Sequence, residues 1–101
     1  MRMLLFVTMP NEPFNTLVKD NQIGPIMRKI LDNLKPEAVY FTEDIGSRGL
    51  VAVVDVADPS RVPVLAEPFF LNFDAECRFR IAMTPEDLEK AGLDSLGQKW
   101  G

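Results

Sequence analysis

The sequence contains no histidine among its 101 residues. That removes the commonest general base and the commonest metal ligand at neutral pH. A single cysteine, Cys77, excludes an intrachain disulfide and any paired-cysteine metal knuckle. No apolar run approaches the roughly 20 residues that a membrane-spanning helix needs. The opening segment MRMLLFVTMP has one arginine and a short apolar stretch. It stops at Pro10 with no small-residue cleavage site, so a buried strand explains it better than a secretory signal. Positive charge is scarce as well. Eleven Lys and Arg face 15 Asp and Glu, a net charge of −4, and Arg28-Lys29 is the sole adjacent basic pair. A duplex-binding surface needs a basic stripe that overcomes phosphate repulsion. The expectations are therefore no nucleic-acid partner, no membrane, no metal and a cytoplasmic location.

What is present is ordinary globular composition, 47% hydrophobic and 26% charged, in a chain of single-domain length. Residues 3–9 are apolar on both alternating faces, as a strand covered on both sides would be. Asn11 is placed to cap a helix beginning near Pro13, with Phe14, Leu17 and Val18 on one face. Gly24-Pro25 predicts a break, after which helical spacing resumes through Ile26, Met27, Ile30, Leu31 and Leu34 and ends at Lys35-Pro36. A second strand is expected over 38–43, a polar turn DIGSRG, and a third strand over about 50–56. Asp58 and Pro59 read as a helix cap and first turn, with the helix kept short by Pro63 and Pro68. EPFFLNF reads as a further helical turn, and residues 72–75 as a turn. Residues 76–83 alternate, with Cys77, Phe79, Ile81 and Met83 on one side and Arg78, Arg80 and Ala82 on the other. TPEDLEKAGL carries a helix signature: Thr84 as cap, Pro85 opening, acids in the first turn and Gly92 at the end. The expected organisation is one ferredoxin-like domain over residues 1–92, its last helix at about 84–92. A tail over 93–101 is too polar and glycine-rich to fold alone, and Trp100 needs a docking place.

The order strand, helix, strand, strand, helix, strand is the split βαβ pattern of an α+β ferredoxin-like fold. Right-handed crossovers then predict an antiparallel sheet of order 4-1-3-2 with both main helices on one face. The first and third strands are apolar on both sides, yet nothing in the chain is left to cover the second face. An exposed apolar face is a liability for a monomer, and a two-fold homodimer through that open face removes it.

On these residues the chain resembles the dimeric α+β barrel superfamily, which includes antibiotic-biosynthesis-type monooxygenases, muconolactone-isomerase-like and YCII-like proteins. AEPFFLNFDAECRFRIAMTPEDL, at 66–88, together with YFTEDIGSRG is similar to a group of small bacterial proteins without an assigned function. The resemblance implies a homodimer and a cavity between its sheets. It implies no catalytic residue here, because the His-Asp pair associated with YCII-like proteins cannot exist without histidine.

Five positions are candidates for lining that cavity. If Phe79 and Ile81 face the helices, then Arg78 and Arg80 face the open side, as Asp55 does with Val51 and Val53. Such arginines suit a pocket for a small organic anion, or else a solvated edge strand that resists edge pairing. For the second strand, one register gives the open side Tyr40 and Thr42 and the other gives it Phe41 and Glu43. Tyr40 and Thr42 are favoured, since Val39 and Phe41 make the better helix-facing pair. Tyr40 and Arg78 lie on opposite edges, roughly 14 Å apart, so Asp55 or a partner chain is expected to bridge them. The other candidates read as structure. Cys77 is a buried, inert thiol. Glu43, Asp44, Asp55 and Asp58 show no looped ligand spacing for a metal, and turn and cap duties explain Asp44 and Asp58. Gly46-Ser47-Arg48-Gly49 is a hairpin turn rather than a phosphate cradle, and Phe69, Phe70 and Phe73 are core. Two functions follow as expectations: a small anionic molecule bound or transformed in the cavity without a cofactor, or a non-catalytic structural or interaction dimer.

Overall fold

A computed structural model describes residues 1–101. Its elements are β1 (Arg2–Met9), α1 (Asn11–Lys19), α2 (Ile23–Leu34), β2 (Ala38–Asp44), β3 (Ser47–Asp55), α3 (Arg61–Phe73), β4 (Glu76–Ile81), α4 (Pro85–Ala91) and α5 (Leu93–Trp100). The four strands form one antiparallel sheet in the order β2-β3-β1-β4. This is the α+β, ferredoxin-like arrangement read from the sequence.

The core lies on one face of the sheet. Leu5 and Val7 of β1 and Leu50, Ala52 and Val54 of β3 are buried against Ile30 and Leu34 of α2 and Leu65, Phe69 and Phe73 of α3. Phe69 and Phe73 are fully enclosed, and Phe14 of α1 stacks on Phe73 with ring centroids 5.3 Å apart.

Several local expectations are corrected. The break between α1 and α2 comes at residues 20–22, where Asn21 takes a left-handed φ of 57°, and not at Gly24-Pro25. Pro25 instead falls in the first turn of α2, where its missing amide leaves no helical bond unmade. Asn11 does not cap α1: the backbone is still extended at Glu12 (φ −111°, ψ 142°), whose Oε2 accepts from Thr16 N at 3.3 Å and Thr16 Oγ1 at 2.7 Å. Asp58 does not cap α3, which begins at Arg61; its carboxylate closes a turn by accepting from Ser60 N at 3.0 Å.

Residues 61–73 form one helix through Pro68, not a short helix and a separate turn. A proline inside a helix leaves the carbonyl four residues earlier without its donor. Here that carbonyl belongs to Val64, and Asn33 Nδ2 of α2 donates to it at 3.2 Å. The substitute hydrogen bond both repairs α3 and ties it to α2. β4 stops at Ile81, two residues short of the expected end.

The hairpin between β2 and β3 turns in two residues, so β3 starts at Ser47 rather than near Leu50. Ile45 and Gly46 both have positive φ, 50° and 81°, as a right-twisted two-residue hairpin requires. Glycine takes that conformation freely, but a β-branched residue is strained in it. Ile45 is also 98% exposed, so no packing offsets the strain. Ile45→Asn therefore places Asn-Gly at a turn that favours it. It is expected to raise stability by about 1 kcal/mol, measured as a higher urea midpoint with unchanged slope.

Candidate functional site

Directly paired residues of antiparallel strands point to the same face. The pairings therefore define rows across the sheet side away from the helices. One row is Tyr40–Val51–Phe6–Arg78, the next is Ala38–Val53–Leu4–Arg80, and on the other side lies Thr42–Gly49–Thr8–Glu76. Tyr40 and Thr42 are thus on the open face, while Phe41 and Glu43 share the helix side with Leu50 and Arg48. The middle of the open face is apolar and half-buried: Leu4, Phe6, Val51 and Val53. Its edges are polar and exposed, with Tyr40 69% accessible.

All five candidates lie on this face, but they do not all meet. A shallow cleft of about 540 Å³ gathers Tyr40, Thr42 and Arg78 with Phe6, Thr8 and Asp44. Asp55 pairs in register with Arg2, at the far end of the sheet, and accepts from the Met1 amino group at 3.1 Å. Arg80 sits one row along from the cleft. Its guanidinium lies 5.2 Å from the centre of the Phe6 ring, and that of Arg78 lies 5.8 Å from the same ring. No carboxylate forms an ion pair with Arg80.

The bridge across the sheet is Asp44, a residue read from sequence as a turn carboxylate, and not Asp55. Asp44 Oδ2 accepts from Thr8 Oγ1 at 2.7 Å and from Arg78 Nη2 at 3.4 Å. A carboxylate on the edge strand β2 can reach β1 and β4 only if β3 between them offers no obstruction. Gly49, paired with both Thr42 and Thr8, lies between Asp44 and Thr8 on this face and puts no side chain there. The signal that finds Asp44 is the combination of a glycine in a central strand with an acid at the end of its neighbour, which needs the register to be seen. Arg78 keeps its other donors free, because a guanidinium has five N–H groups and Asp44 engages one.

The remaining carboxylates of the metal candidate are dispersed. Glu43 Oε2 accepts from Gly46 N at 2.8 Å, and Asp58 is held by Ser60, whose side-chain and backbone hydrogen bonds depress its carboxyl pKa. No group of three or more carboxylates or thiols comes together. Arg48, in the turn considered for phosphate, lies on the helix side with its guanidinium 4.3 Å from the centre of the Phe14 ring. Phe70 is 39% exposed, unlike Phe69 and Phe73.

No protein-family model matches this chain, and no curated protein matches it. No helix is long and apolar enough to cross a membrane.

Cys77 pairs in register with the buried Val7, so it faces the helices and not the cleft. Burial pushes its thiol up to about 11. A thiol reacts as its thiolate. Alkylation by iodoacetamide is therefore expected to run far below the rate of a free cysteine at pH 8. It should climb only as pH rises toward about 11. A rate at pH 8 equal to that of a model thiol would place Cys77 outside the packed layer.

Proposed function

We propose that the protein is a homodimer of the dimeric α+β barrel type. It closes its open sheet face with a second copy and holds a small organic anion in the enclosed space without a cofactor. The observation that carries the reading is Arg80. It is a cation without a carboxylate partner on the same uncovered face as the half-buried Leu4, Phe6, Val51 and Val53. A charge brought against apolar surface by dimer closure is expensive unless an anion accompanies it. Arg78, with donors to spare beside it, offers the forked hydrogen bonding that carboxylates accept. Thr8, Thr42 and Tyr40 add hydroxyls that fix orientation. Chemistry in such a site leans on a reactive substrate that the protein positions.

A second reading has its own observation. Asp44 already links Thr8 and Arg78 within one chain, with no ligand between them. The alternative is a non-catalytic structural or interaction dimer.

A thermal-shift screen of small mono- and dicarboxylates separates the two. A ligand at 100 times its dissociation constant stabilises the protein that binds it by about 2.7 kcal/mol. The anion-binding reading expects a clear rise in Tm with at least one carboxylate, lost in Arg78→Ala and in Arg80→Ala. No rise with any carboxylate leaves the structural dimer standing.

A further inference from the structure

We propose that α4 and α5 form an arm that docks in trans on the open sheet face of a second copy and supplies one wall of the cleft. This inference rests on the dimer reading above. The arm is well made locally. Thr84 Oγ1 accepts from Asp87 N at 3.2 Å, Asp87 Oδ2 accepts from Thr84 N at 2.8 Å, and Gly92 closes α4 at a left-handed φ of 71°. Yet neither helix has a single buried residue. Helices of seven and eight residues are marginal in water by themselves, and packing is what sustains them. No other element of the chain packs extensively on this arm. The molecule measures 60 × 28 × 20 Å, whereas its longest strand, nine residues, accounts for roughly 30 Å.

α5 carries the means of docking. Leu93, Leu96 and Trp100 recur at i, i+3 and i+7, one stripe on one side of the helix, and are 56%, 41% and 77% exposed. This is the anchor spacing of an amphipathic helix seated on an apolar surface. The open face has matching dimensions. Four strands span roughly 14 Å, and the eight residues of α5 span about 12 Å, so the helix crosses the sheet nearly edge to edge. Area points the same way. A sheet face of roughly 14 by 30 Å offers on the order of 400 Å² in plan, about half of the ~800 Å² that each partner buries in a standard interface. The arm makes up the difference. Docked in trans, Trp100 joins Phe6 and Val51 as apolar lining, and the cleft is complete only with two copies.

Trp100 is the chain's only tryptophan, so its emission reports docking without a label. Fluorescence is recorded alongside light scattering over a dilution series. The expected result is a blue-shifted emission in the dimer that moves red in step with dissociation. Leu96→Ser, which alters the arm and leaves the sheet intact, is expected to raise the dimer dissociation constant about tenfold or more, since burying a leucine contributes on that scale. A stable dimer with solvent-exposed emission at every concentration overturns the arm and leaves the dimer. Blue-shifted emission from a monomer shows that the arm packs in cis and overturns the inference too. A chain that stays monomeric with exposed emission overturns both.

Discussion

A single sheet with apolar residues on both sides of its central strands requires two covers, and this chain supplies one. Everything else in the structure follows from that shortfall. β1 and β3 send Leu5, Val7, Leu50, Ala52 and Val54 into a core sealed by α2 and α3. The same strands send Leu4, Phe6, Val51 and Val53 to the other side, where they end half-buried with no layer above them. Burial contributes about 25 cal/mol for each Å² of apolar surface removed from water, so a bare face is stability left unused. The account closes that face with a second copy, and the candidate site lies where the two copies would meet.

The polar part of that face is organised by what is missing from it. Gly49 puts no side chain between Asp44 and Thr8, and Asp44 leans across β3 to Thr8 and Arg78. One carboxylate thereby links three strands and holds one arginine in place, while the neighbouring Arg80 keeps its charge unanswered. The two guanidiniums flank a single aromatic ring, Phe6, whose face attracts cations.

Much of this was legible in the residues. Continuous apolar runs located β1 and β3, period-two alternation located β4, the capping pattern around Thr84 and Gly92 located α4, and the order of elements led to the sheet order. The favoured parity of β2, with Tyr40 and Thr42 on the open side, matches the pairing with Val51 and Gly49. What escaped the sequence depends on partners distant along the chain. Pro68 reads as a helix breaker because only the fold brings Asn33 to the carbonyl that Pro68 leaves free. Asp44 reads as a turn residue because its reach depends on a register that places Gly49 beside it. The turn itself looked longer than its two residues, since an isoleucine at positive φ is not a turn signal. α5 looked too polar and glycine-rich to be ordered, and its stripe of Leu93, Leu96 and Trp100 acquires meaning only beside an uncovered sheet.

The central claim is that the open face is an interface between copies of this chain. Sedimentation equilibrium at micromolar concentration, on the wild type and on Val53→Lys, tests it most directly. Val53 sits in the middle of the open face, away from the helix-covered core. The account predicts twice the chain mass for the wild type and a single chain mass, still folded, for the variant. A wild-type monomer, or a dimer indifferent to a lysine at that position, would contradict it.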